Sequence, residues 1–125
     1  MSRESIQTNQ APAAIGPYSQ AIKIGTFIYT SGQIPLDKEG RLIGEDIAEQ
    51  TTQCLINAGK ILEAAGSSLG KVVKTTVFLD DMENFTAMNQ VYASFFNAPY
   101  PARSCVEVSR LPKGVKVEIE MIASI

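Results

Sequence analysis

Histidine is absent from this 125-residue sequence, and so is tryptophan. Without histidine there is no Ser-His-Asp or Cys-His nucleophile and no imidazole acid or base, which leaves Arg, Tyr, Glu, Cys and the backbone to carry any catalysis. The commonest zinc ligand is missing with it, and the two cysteines, Cys54 and Cys105, are too few for a four-ligand thiolate site. A metal centre is therefore not expected. No stretch reaches the ~18 consecutive apolar residues of a membrane-spanning helix. Met1-Ser2-Arg3-Glu4 leads into polar residues and not into the apolar core of a signal peptide. A cytoplasmic chain with free thiols and no membrane partner is expected. Charge of one sign is also scarce: 11 Lys+Arg against 13 Asp+Glu give a formal net charge of -2. That is no field for a phosphate backbone, and nucleic acid is disfavoured as the main partner.

What is present suits a folded globule. Hydrophobic residues make up 45% and charged residues 19% of the chain, and the length fits one domain over 1–125. A chain of this size buries roughly two thirds of its unfolded surface, enough for one core without disulfides. AIKIGTFIYTSGQ, from Ala21 to Gln33, is β-rich and broken at Gly25-Thr26, which predicts a hairpin-like strand pair ending at Ser31-Gly32-Gln33. Asp46-x-x-Glu49 reads as a capping box, followed by apolar residues at helical spacing up to Gly66, so a helix is predicted over about Asp46 to Ala65. Lys71 to Leu79 predicts a central strand buried on both sides. Asp80-Asp81 then offer N-caps for a second helix with the stripe Met82, Phe85, Met88, Asn89, Tyr92, Phe95 and Phe96. Arg103 to Ser109 and Val115 to Ala123 alternate as strands around a Leu111–Gly114 turn, giving the order ββαβαββ.

Two helices cover only one face of such a sheet, so the class is α+β with a mixed sheet and one face left open. In the last strand Val115, Val117, Ile119, Met121 and Ala123 should meet the helices, leaving Lys116, Glu118, Glu120 and Ile122 on the other side. Arg103, Cys105 and Glu107 share one face of the preceding strand. They are expected to converge with the Glu118 and Glu120 carboxylates on the helix-free side.

Each candidate has a plain structural alternative. Arg103 has a planar fork suited to a carboxylate, or it forms an ion pair with Glu118 or Glu120. Glu118 can orient a water or accept a proton, or it faces solvent. Cys105 has no histidine to make its thiolate and reads as a structural thiol, while Cys54 falls on the apolar stripe of the first helix. Tyr18 follows the rigid Gly16-Pro17 turn and can wall a pocket or sit at the core edge. Ser31-Gly32 brings backbone close to a ligand or marks a bulge. Asn89 breaks its apolar stripe, either to reach a site or to bond a neighbouring backbone group.

Three separated stretches are specific when taken together: GPYSQA at 16–21, TSGQIP at 30–35, and PARSCVEV at 101–108 continuing to VEIE at 117–120. With Val73-Lys74-Thr75-Thr76-Val77 they resemble, over nearly the whole chain, the RidA (YjgF) family of reactive imine deaminases. The resemblance implies a chorismate-mutase-like subunit in a homotrimer, with helix-free faces packed inward and sites in the clefts between subunits. It implies hydrolysis of 2-imino acids such as 2-iminobutanoate and 2-iminopropanoate to 2-keto acids and ammonia, with no cofactor. By motif, Arg103 would hold the carboxylate, Tyr18 would line the pocket, Glu118 would place the attacking water, and backbone groups at Gly32 and Cys105 would complete the site. Similar proteins are also described as ribonucleases that inhibit translation, as chaperone-like proteins and as partners of regulators, so an RNA-directed or binding role is the competing class.

Overall fold

The computed structural model describes residues 2–125. The first strand, β1 (Glu4–Ile6), pairs antiparallel with β2 (Ala21–Ile24). That strand turns at Gly25, whose φ of 60° favours glycine, into β3 (Phe27–Thr30). The predicted hairpin forms, but regular pairing stops at Thr30, and Gln33 returns to make an isolated bridge with Ile119.

Helix α1 (Ile47–Ala64) starts where the capping signal places it. The Asp46 carboxylate accepts from the Glu49 N–H at 2.8 Å. The return bond of the box goes one residue early, from the Glu45 N–H to the Glu49 carboxylate at 3.4 Å. Gly66, at φ 87°, closes the C-terminus. The apolar face of α1 buries Cys54, Leu55, Ala58, Ile61 and Leu62 completely. At ~1.5 to 3 kcal/mol for each large side chain, that burial outweighs propensity in holding the helix. Its polar core residues tie down loops: the Asn57 amide donates to the carbonyls of Ile34 and Leu36, and the Gln50 carbonyl accepts from the Lys116 N–H.

Strand β4 (Val72–Leu79) leads through a single 3-10 turn, Met82–Asn84, into α2 (Phe85–Phe95). Asp81 caps that turn, so the α-helix begins three residues later than the aspartates suggest. The α2 crossover makes β5 (Ala102–Glu107) parallel to β4, and the Leu111–Gly114 turn leads to β6 (Val117–Ser124). The six strands lie in the order β1-β2-β3-β6-β4-β5, with β4–β5 the one parallel pair. β5 and β6 are therefore joined by a turn without being neighbours.

The expected mixed α+β sheet with two helices on one face is what forms, and two expectations need correction. Strand β1 was not anticipated: a short polar-rich segment carries no strand signal and is held by pairing with β2. Strand β4 is not buried on both sides, because Val72, Thr75, Val77 and Leu79 face the helices while Thr76 and Phe78 remain half-exposed on the open face. On that face Phe27, Tyr29, Val73 and Val106 are each between 41% and 46% exposed, beside Thr76, Glu118 and Glu120, so the open face is half apolar and half polar. No helix among the described residues is long and apolar enough to cross a membrane.

Candidate active site

Arg103 sits on β5 directly opposite Thr75 of β4, and Thr75 is paired on its other side with Met121 of β6. Thr75 and Met121 are buried under the helices, so Arg103 also points to the helix side. There α2 receives it. Arg103 Nη1 donates to Asn89 Oδ1 at 2.7 Å. Its Cζ lies 4.8 Å from the Tyr92 ring centroid and 5.6 Å from that of Phe85, within cation–π range. No carboxylate among the described residues pairs with it. The remaining guanidinium donors are uncommitted within the chain, the state in which an arginine receives an outside carboxylate in two parallel bonds.

This geometry overturns the expected convergence on the helix-free face. Glu118 pairs with Phe78, which pairs with Val106, and Glu120 lies in the row of Thr76 and Ser104. Those are the open-face positions. Arg103 and Cys105 belong to the opposite face, with Thr75 and Val77. Within one chain Arg103 and Glu118 are separated by the sheet, and the Arg103 ion pair with Glu118 or Glu120 does not exist. Glu107 is otherwise engaged: its carboxylate accepts from the Met82 N–H at 2.7 Å at the start of the 3-10 turn.

Glu118 belongs to a second cluster. A Cβ at Gly32 would fall onto the Glu118 carboxyl group, so the TSGQ backbone and that carboxylate are packed as closely as glycine alone permits. Burial, reinforced by the neighbouring Glu120 carboxylate, pushes the Glu118 carboxyl above its ordinary value and makes it a stronger base. Ser31 fastens this segment to the preceding motif, its N–H donating to the Gln20 carbonyl at 2.9 Å and its hydroxyl to the Ser19 carbonyl at 2.6 Å. Tyr18 stands next to Ser19, half-exposed, and its hydroxyl accepts from the Ile15 N–H at 3.3 Å. It lines a cavity of about 380 Å³ with Ser5, Thr8 and Lys38, to which neither Arg103 nor Glu118 contributes.

The predicted site residues thus fall into separate groups: Arg103, Asn89 and Cys105 at the α2 side of the sheet, Gly32 and Glu118 together on the other side, and Ser31 fastening Gly32 to the Tyr18 segment, whose cavity holds neither Arg103 nor Glu118. Cys105 is half-buried against the core, and burial pushes its thiol up despite the opposing pull of Arg103. That burial works against the thiolate a nucleophile needs. Cys54 is core, as read from its stripe, and burial holds its thiol well above the ordinary value. Asn89 bonds the Arg103 side chain and not a neighbouring backbone group. Sequence reasoning passed over Phe85, Tyr92 and Thr75 as core. The available signal was spacing, since Phe85 and Tyr92 flank Asn89 at four and three residues and share its helix face.

The sequence profile of the endoribonuclease L-PSP family matches residues 8–125. The chain belongs to that family, the YjgF/RidA family. It is 52% identical over 123 residues to the 2-iminobutanoate/2-iminopropanoate deaminase of Salmonella typhimurium, with 96% of each chain covered. A RutC family protein of Pyrococcus abyssi is 54% identical over 124 residues, 98% of each chain. Among solved structures, Escherichia coli TdcF with bound serine is 44% identical with a TM-score of 0.92, covering 98% of each chain. The family resemblance read from the three motif stretches is borne out, and deaminase, RutC and endoribonuclease names all occur among these YjgF/RidA relatives.

Proposed function

We propose that this protein hydrolyses 2-imino acids, with 2-iminobutanoate and 2-iminopropanoate as substrates, to 2-keto acids and ammonia. The observation that carries the reading is the uncommitted Arg103 guanidinium, framed by Asn89, Tyr92 and Phe85 with no acidic partner. A relative named as such a deaminase and another solved with serine, an amino acid with a carboxylate, support a carboxylate ligand. Arg103 takes the substrate carboxylate. Glu118 accepts a proton from water as the water oxygen bonds to the imine carbon. That proton then goes to nitrogen, and as the C–N bond breaks and ammonia leaves, Glu118 takes the hydroxyl proton of the adduct and the carbonyl of the keto acid forms. A protonated imine is already electrophilic, so orientation and a placed base suffice. Ser31 and the Gly32 backbone shape the pocket with Tyr18, and the Cys105 backbone completes it.

Arg103 and Glu118 lie on opposite sides of their own sheet, so a site containing both is built from two copies of the chain. A homotrimer packed through the open, half-apolar faces joins the Arg103 cluster of one copy to the Glu118 cluster of the next. Light scattering should give three times the chain mass at micromolar concentration. A monomer with turnover intact would sink the shared site.

The direct test generates 2-iminobutanoate in situ and follows 2-oxobutanoate against semicarbazide as a competing trap. Added protein should divert imine from the semicarbazone, and an unchanged partition overturns the deaminase reading. Gly32→Ala should lower turnover as far as Glu118→Gln does, with the melting temperature nearly unchanged, because its Cβ displaces the Glu118 carboxylate. Full turnover in Gly32→Ala would show that the close approach has no part in the chemistry. As to the RNA-directed class, Arg103 is the one cation among the site residues, which suits a small anion better than a phosphate backbone.

A further inference from the structure

Thr75 and Tyr92 share a 2.7 Å hydrogen bond in the layer between α2 and the sheet, where Thr75 is fully buried and Tyr92 nearly so. Burying two hydroxyls there costs desolvation that a valine and a phenylalanine of similar shape would avoid, so the pair contributes little to stability beyond what apolar packing would give. What a hydroxyl pair supplies is direction. Thr75 stands beside Arg103 in the β4–β5 register, and the ring it holds is the one nearest the guanidinium, at 4.8 Å. Phe96 packs against the same ring, with centroids 4.7 Å apart and planes tilted by 39°. The Tyr92 ring is therefore fixed at its hydroxyl by β4 and at its flank by Phe96. Arg103 is in turn held by that ring, by Phe85 and by one bond to Asn89.

We propose that the Thr75–Tyr92 pair is a positioning device for Arg103: it sets the guanidinium plane, so that the donors Asn89 does not use are presented in one orientation to a carboxylate. This rests on the reading of Arg103 as the carboxylate anchor. Neither residue touches substrate. Their effect passes through the arginine, which needs a fixed fork to make two parallel bonds.

The test uses Tyr92→Phe, Thr75→Val, the double variant and Thr75→Ser, each checked for an unchanged oligomeric state. The double variant removes both hydroxyls and leaves no buried polar atom unpaired, so it keeps the fold where a single variant, with one hydroxyl left unpaired, loses stability. The first readout is the ¹⁵N spectrum of the Arg103 side chain, assigned by its loss in Arg103→Lys. In the parent the Nη protons should resolve separately, shifted by the rings, and in Tyr92→Phe and the double variant they should average. The second is binding of 2-oxobutanoate by calorimetry, with KM and kcat for the imine. Kd and KM should rise about three- to tenfold with kcat nearly unchanged, as for an interaction made equally in ground and transition states. The double variant should be no worse than either single one, and Thr75→Ser should return both readouts toward the parent.

A fall in melting temperature with the Arg103 resonances and Kd unchanged would make the pair purely structural and overturn the proposal. If the parent itself neither hydrolyses imine nor binds the keto acid, the deaminase reading fails. The Arg103 spectra still decide whether the pair orders the arginine.

Discussion

Arg103→Ala should lower kcat/KM for 2-iminobutanoate by roughly a hundred- to ten-thousandfold while the chain still folds and assembles. A charge-assisted hydrogen bond contributes ~1.5 to 3 kcal/mol, and a bidentate anchor loses two at once. The fold loses little, since Arg103 is half-buried at the end of an edge strand and makes one side-chain hydrogen bond, to Asn89. Arg103→Lys should recover little, because an ammonium reproduces neither the planar fork nor its fit beside the Tyr92 and Phe85 rings. Calorimetry with 2-oxobutanoate separates binding from chemistry. If Arg103→Ala binds that keto acid as tightly as the parent, the anchor lies elsewhere.

Glu118→Gln should have opposite effects on activity and stability. Turnover falls sharply because the base is gone, while keto-acid binding stays nearly intact because Arg103 remains. Stability should rise. Burial and Glu120 raise the carboxyl above its ordinary value of 4.5, so the folded chain holds this proton at a pH where the unfolded chain has released it. Ionising Glu118 thus disfavours the fold, a cost absent below the ordinary carboxylate range and complete above the raised value. Glutamine never incurs it. The melting temperature of Glu118→Gln should exceed the parent's at neutral pH and converge with it as pH falls below about 4.5. A difference that is negative, or flat with pH, would remove the burial argument. Parent turnover should rise with pH across the same raised range as the base form appears.

The parts of the fold legible in the sequence are those fixed locally. Asp46, the apolar stripe from Ile47 and the left-handed Gly66 delimit α1 within a residue because cap, face and stop are all adjacent to the helix they define. Alternation likewise separates Val117, Ile119 and Met121 from Glu118 and Glu120. Alternation does not say which face of β5 meets the helices. That depends on register with β4, a strand more than twenty residues earlier, and the parallel pairing sets Arg103 beside buried Thr75 and thus under α2. Motif and alternation could nominate the site candidates, but their division between two faces is non-local. Tyr92 and Thr75 were hidden for another reason: an apolar stripe has the same spacing whether or not one of its rings holds a cation.

For the shared site proposed above, the separation of Arg103 from Glu118 by their own sheet would also govern inheritance. When each pocket takes its anchor from one copy and its base from the next, a chain damaged at either residue spoils a pocket it shares with an intact neighbour. Each such chain still gives its other residue intact to a second pocket, so an equal mixture with the parent keeps about half of the pockets. Two differently damaged chains rescue each other in part, because random mixing of equal amounts of Arg103→Ala and Glu118→Gln subunits brings both intact halves together in about a quarter of the interfaces.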